Sequence, residues 1–149
     1  MTIGSGAQTI GNSAFAGCDG LTGELIIPNS VQMSGSLAFS ECLQLTRITI
    51  PNSVITIEYA AFSSCSGLTE VTIGSGVQTI GRAAFAGCDG LTNITSLATT
   101  APSIESWTFK GVPTNGILYY PVGSDYSSWM KTDDYYLGYY NWTTSEITE

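Results

Sequence analysis

The chain contains no histidine among its 149 residues, and only 4 lysines and arginines against 12 aspartates and glutamates, for a formal net charge of −8. Without an imidazole there is no Ser-His-Asp or Cys-His nucleophile system and no His-ligated metal site. The cations stand singly as Arg47, Arg82, Lys110 and Lys131, which argues against nucleic acid and against an anionic membrane surface as partners. Charged residues make up 11% of the chain, less than half the roughly 25% of an average soluble domain. Thr, Ser and Gly take their place, and such a surface points to an extracellular setting. No apolar run reaches the ~18 residues of a membrane span. Met1-Thr2-Ile3-Gly4 lacks the basic and apolar regions of a signal peptide, so an extracellular protein has lost its signal here or the sequence is an excised piece. Four cysteines are too sparse for a disulfide scaffold.

The cysteines instead mark a repeat. Cys18, Cys42, Cys65 and Cys88 lie 24, 23 and 23 residues apart, each three residues after a phenylalanine (Phe15, Phe39, Phe62, Phe85) and three before a Leu-Thr pair. Residues 3–22 and 73–92 are identical at 17 of 20 positions, differing only at Ala7/Val77, Asn12/Arg82 and Ser13/Ala83. A period this short predicts a stacked solenoid in which each coil buries its apolar side against its neighbours.

Residues 45–67 give the clearest unit. Leu45, Ile48 and Ile50 predict a strand entering the core, and Pro51-Asn52-Ser53 turns the chain. Val54 and Ile57 point inward again. Tyr59-Ala60-Ala61-Phe62 forms a short helical or irregular turn with Phe62 as the core wedge, and Cys65 and Leu68 close the coil. Gly-Ser-Gly replaces Pro-Asn-Ser at 4–6 and 74–76. The second unit has one extra residue, placed as a bulge near Gly23-Glu24, and carries Ser34 where Ile57 and Ile80 stand, so its core is expected to be the weakest. The fifth unit is degenerate, with Leu91, Ile94, Thr100-Ala101-Pro102, Ile104, Trp107 and Phe109 in the corresponding places.

The pattern Leu-Thr-x-Ile-x-Ile-Pro-Asn-Ser-Val-x-x-Ile-x-x-x-Ala-Phe-x-x-Cys at 45–65 resembles the BspA-like, or Treponema-type, leucine-rich repeat. The tail, with Leu118-Tyr119-Tyr120-Pro121-Val122-Gly123-Ser124, Tyr126, Trp129 and Trp142, is similar to that family's C-terminal capping segment. The resemblance implies an α/β, β-rich, right-handed solenoid with a parallel sheet on one face. The expected division is five repeats over 1–112, the first truncated, and a cap over 113–149. The resemblance also implies a surface-exposed or secreted protein of a host-associated bacterium, acting as an adhesin or interaction module, with no catalytic residues and no cofactor.

Three groups of residues are candidates for function. Alternation along the strands puts Thr2, Ile26, Thr49, Thr72, Thr95 and Tyr119 in one outward row and Glu24, Arg47, Glu70 and Asn93 in another. These rows form a flat, weakly charged face for a protein or glycan, although threonine suits exposed strands in any case. Eleven of the 16 aromatic residues lie from Trp107 to Trp142. Tyr126, Trp129 and Leu137 are expected to cover the last coil, with Asp133 and Asp134 in solvent; exposed, Trp129 or Trp142 would instead offer a glycan-stacking platform. The four cysteines are expected to form a buried ladder of slow-reacting thiols. A regular row without CxxC does not make a zinc tetrahedron, and no neighbouring cation activates a thiol. Gly-Ser-Gly lacks the Gly-Lys-Ser/Thr of a phosphate loop, and the tail aspartates lack EF-hand spacing. The chain starts inside a strand, so its first coil presents an open edge able to pair with another copy. A passive spacer is the remaining alternative.

Overall fold

The computed structural model describes residues 3–147. Each coil runs through two strands and a run of turns. The longer strands are β2 (Gly23–Ile26), β4 (Leu45–Ile50), β6 (Glu70–Ile73), β8 (Asn93–Ser96), β10 (Ile117–Pro121) and β11 (Thr143–Ile147). The shorter ones, of two residues each, are β1 (Thr9–Ile10), β3 (Met33–Ser34), β5 (Thr56–Ile57), β7 (Thr79–Ile80) and β9 (Ser103–Ile104). Every pairing is parallel, in a six-stranded sheet ordered β11-β10-β8-β6-β4-β2 and a five-stranded sheet ordered β1-β3-β5-β7-β9. The expected solenoid is present, but with a second sheet where one was anticipated.

Of the short helical or irregular turn expected before each phenylalanine, the irregular form is the one present. Among the described residues the only helical pieces are 3₁₀ turns at Ser127–Trp129 and Leu137–Tyr140. The segment before each phenylalanine does not become a helix because one residue there takes a left-handed backbone: Ser13, Leu37, Ala60, Ala83 and Trp107, at φ of 52–70°. A second left-handed residue follows four positions on, at Gly17, Glu41, Ser64, Gly87 and Gly111. Side chains with a Cβ adopt this conformation at a cost. Here cross-coil hydrogen bonding offsets it: Phe15, Phe39 and Phe62 each donate an N–H to Ala38, Ala61 and Ala84 of the next coil at 2.8 Å, and Glu41 and Ser64 do likewise to Ser63 and Ala86 at 2.8 and 2.7 Å. The turn side is thus a third hydrogen-bonded wall of the coil.

The core lies between these walls. Phe15, Phe39, Phe62, Phe85 and Phe109 stack face to face with ring centroids 5.2–6.0 Å apart and planes within 12° of parallel. Leu45, Leu68 and Leu91, with Ile48, Val71 and Ile94, fill the other corners and are fully buried. The second coil departs where the extra residue requires it: register shifts between Gly23 and Glu24, which face Leu45 and Arg47, and Gly23 takes φ of 70°. Ser34 is 2% exposed and its hydroxyl has no hydrogen-bond partner, in agreement with a weakened core at that coil.

The tail covers the last coil. Trp129 packs at 5.6 Å on Phe109, ending the phenylalanine column, and Tyr126 meets Trp129 edge-on at 5.0 Å. Each buried polar tip is satisfied: the Trp129 indole donates to Pro102 O at 2.9 Å, the Tyr126 hydroxyl donates to Ala98 O at 2.6 Å, and the Trp142 indole donates to Pro113 O at 2.8 Å. Leu137 is buried, and Asp133 and Asp134 face solvent, as the sequence suggests. The chain then returns to the sheet as β11, an addition that its sequence does not announce.

Candidate functional site

The outward face of the six-stranded sheet brings the expected residues together. Ile26, Thr49, Thr72, Thr95 and Tyr119 stand in one unbroken register across five strands, continued by Ser145 on β11. The parallel pairing keeps each side chain directly beside its neighbour, about 4.8 Å away. Ile26 is the most exposed of the row at 61%, and the threonines and Tyr119 are half-buried by one another. Thr2 lies outside the described residues. The second row runs Glu24, Arg47, Glu70, Asn93 and on to Ile117. Arg47 joins its two acidic neighbours: Nε is 3.1 Å from Glu70 Oε2, and Nη1 is 4.0 Å from Glu24 Oε2. With all three side chains largely in solvent, these pairs contribute little to stability. Arg47 offsets one of the two negative charges on the β2–β4–β6 side of the sheet, and the face as a whole is polar and weakly charged.

The cysteines stand in one column on the inside. All four are free thiols. Cys42, Cys65 and Cys88 each donate an S–H to the phenylalanine carbonyl of the preceding coil, Phe15, Phe39 and Phe62, at 3.1–3.2 Å. Burial pushes the Cys42 thiol up to about 11. Cys88 stands well above the ordinary thiol range, raised by the neighbouring Cys65 side chain and by burial. Both directions leave neutral thiols, the opposite of what a nucleophile requires. Cys18 is only half-buried, so the expectation of four equally shielded thiols is corrected to three: among the described residues no earlier coil lies against Cys18.

The tail aromatics divide. Trp129 and Trp142 are buried, so neither ring can stack on a sugar, and the glycan platform expected at those two positions is not formed there. Trp107 is 38% exposed instead. Its place is explained by phase: Phe109 occupies the stacked column, which puts Trp107 at the left-handed position held by Leu37 three coils earlier, which is likewise exposed. Arg82 Cζ lies 4.5 Å and Lys110 Nζ 4.4 Å from the Trp107 ring centroid, and Tyr135 meets Trp107 edge-on at 6.3 Å. This cluster combines two of the cations with exposed aromatic surface, and sequence spacing alone does not bring Tyr135 to Trp107. No group of three potential metal ligands assembles among the described residues, and no described helix is long and apolar enough to cross a membrane.

The profile of the BspA-type leucine-rich repeat region matches residues 1–115 in six copies. The chain belongs to the BspA-type leucine-rich repeat family. Solved structures agree with this membership. A leucine-rich repeat protein from Treponema pallidum is 29% identical, with a TM-score of 0.67 over 78% of this chain and 53% of its own. A leucine-rich cell surface protein from Faecalibacterium prausnitzii is 27% identical, with a TM-score of 0.67 over 87% of this chain and 33% of its own. The pneumococcal vaccine antigen PcpA, at 15% identity, shares the fold over 100% of this chain and 41% of its own, with a TM-score of 0.68. No curated protein matches the chain in sequence. This BspA-type chain therefore spans about half the length of the Treponema protein and about a third of the Faecalibacterium one. Solenoids of this family are typically binding modules.

Proposed function

We propose that this BspA-type solenoid is a non-enzymatic, extracellular interaction module that binds a host or microbial protein through the outer face of its six-stranded sheet. The residues assigned to contact are Ile26, Arg47, Thr49, Glu70, Thr72, Asn93, Thr95 and Tyr119. The observation that carries this reading is the register. Five strands hold Ile26, Thr49, Thr72, Thr95 and Tyr119 in one straight row on a face that no other described element covers. Six strands at about 4.8 Å make a face roughly 24 Å wide. A standard interface occupies roughly 800 Å² per partner, so a partner bound here uses the whole face, and a single copy binds weakly. The experiment is therefore done with the chain displayed in many copies on beads, against a panel of matrix and cell-surface proteins. The expected result is capture that is lost when Thr49 and Thr72 are both changed to arginine. Capture that survives this change would place the contact elsewhere.

A second reading rests on one observation, the exposed Trp107 between Arg82 and Lys110. Two cations held over an exposed aromatic ring suit an acidic sugar, chiefly through charge. A glycan array on the same beads separates the readings: signal on uronate or sulfated glycans that is lost in Trp107→Ala favours the sugar. Binding in neither assay would favour a spacer role.

A further inference from the structure

The Trp107 cluster does not end at Trp107. Tyr59 and Arg82 hold the same place in the third and fourth coils: Leu37 donates its N–H to Tyr59 O at 2.9 Å, and Ala60 donates to Arg82 O at 3.0 Å. The two residues therefore stand one coil step apart, about 4.8 Å. The Arg82 guanidinium lies 4.5 Å from the Trp107 ring of the fifth coil. Lys110 Nζ is 4.4 Å from that ring and 5.4 Å from the ring of Tyr135, which meets Tyr139 at 5.0 Å. Rings and cations thus alternate along a path from the third coil onto the tail. Its two ends, Tyr59 and Tyr139, are each 52% exposed, and among the described residues neither ring has a cation over it.

The two cations on this path are separate in the sequence and are brought onto one ring by the fold. Among the described residues the only ion pairs are those of Arg47 with Glu24 and Glu70, so neither Arg82 nor Lys110 has a carboxylate within 4.0 Å. An aromatic ring holds a cation in place but leaves its charge uncompensated. In a chain of net charge −8 with 4 cations in all, two unpaired ones on one exposed path mark a place for an anion. The main chain of this wall is bonded from coil to coil, through Leu37 and Ala60 and through Phe39, Phe62 and Phe85. It offers no open strand edge to an added peptide. A sugar chain needs none, since it presents charged groups to cations and flat apolar faces to rings.

We propose that this path binds a linear acidic polysaccharide several sugars long, lying along the stacking direction. Arg82 and Lys110 hold its carboxylate or sulfate groups, and Tyr59 and Tyr139 stack on sugar faces at the two ends. The proposal rests on the acidic-sugar reading of the Trp107 cluster and adds the length and direction of the ligand. Tyr59 to Trp107 alone covers two coil steps, roughly 10 Å, so a disaccharide held by the cations does not reach both tyrosines.

The test titrates the native chain with size-graded heparin fragments at low ionic strength, where exposed charges act over the longest range. Affinity is expected to rise about tenfold from disaccharide to octasaccharide, because each added contact is made by a ligand already bound, and then to level off. Tyr59 is exposed and lies outside the phenylalanine column, so its variants leave the fold in place. Tyr59→Ala is expected to remove most of the rise, so that short and long fragments bind nearly alike, and Tyr59→Phe, which keeps the ring, is expected to retain it. Changing Arg82 and Lys110 together to glutamine is expected to abolish binding at every length. Equal affinity at all lengths, or a rise indifferent to Tyr59→Ala, would overturn the extended path and leave an acidic-sugar site at Trp107. No binding at any length would overturn both. Poly-glutamate that binds as tightly as the octasaccharide, with the same dependence on Tyr59, would put an acidic peptide in place of the polysaccharide and overturn the proposal.

Discussion

Ser34 stands in the short strand between Ile10 and Ile57, at a position its neighbouring coils give to isoleucine, with its hydroxyl buried and unpartnered. Replacing it removes an unsatisfied polar atom and adds apolar volume to the weakest coil. Ser34→Ile is expected to raise stability by about 1–2 kcal/mol, read from the urea midpoint; full burial of such a side chain is worth roughly 1.5–3 kcal/mol before crowding is deducted. The opposite change is made at Phe62, which has a ring stacked on each side. Phe62→Ala is expected to cost about 3–5 kcal/mol, and it interrupts the column in its middle. Gly116 gives a third residue-scale test. A Cβ there would strike the Trp142 ring, so Gly116→Ala is expected to displace that indole from Pro113, visible as a shift in tryptophan fluorescence.

The elements respond to pH through their thiols. Burial pushes the Cys42 thiol in the folded state up to about 11, above its ordinary range. A pKa raised by folding means that the native state holds its proton more tightly, so stability is fully present below the unfolded pKa and falls as pH rises through the folded one. The urea midpoint is therefore expected to be flat below pH ~8.5 and to decline over the window between the two pKa values. Cys42→Ser is expected to make that decline shallower, the raised Cys88 thiol keeping part of it, and a decline of unchanged slope would assign it to other groups. Legibility in the sequence also differs by element. The Phe-x-x-Cys-x-x-Leu-Thr spacing makes coil phase visible, and with it the outward rows, the bulge at Gly23-Glu24 and the tail's cover of Phe109. The two-residue strands are too short to show a period of two, so the second sheet is silent. The left-handed position is occupied by Ser13, Leu37, Ala60, Ala83 and Trp107, which share no side-chain chemistry, because cross-coil backbone bonding selects the conformation. Strand β11 has exposed residues along most of its length, so its pairing with β10 leaves no apolar trace. The outward rows follow from phase alone, whereas the Trp107 cluster depends on how the tail folds back.

At the scale of the whole molecule, every coil depends on the one beside it, and the tail on the last. Trp129→Ala uncovers Phe109 and is expected to cost about 3–5 kcal/mol and to increase dye binding to exposed apolar surface. Its effect should be larger than that of Arg47→Ala on the open face, where solvated ion pairs contribute ~1 kcal/mol or less. Comparing the two by thermal melts checks that stability runs through the column and not through the open face. The walls of hydrogen bonds also run parallel to the stacking direction, with β2 and β11 at opposite edges of the large sheet. A pull on those two edges loads the bonds of one coil boundary at a time, as a zip is loaded, and does not shear all of them together. Each coil of 23 residues that yields releases roughly 80 Å of extended chain. Held between two surfaces, the solenoid would lengthen in steps under tension and rewind when slack, acting as a molecular shock absorber.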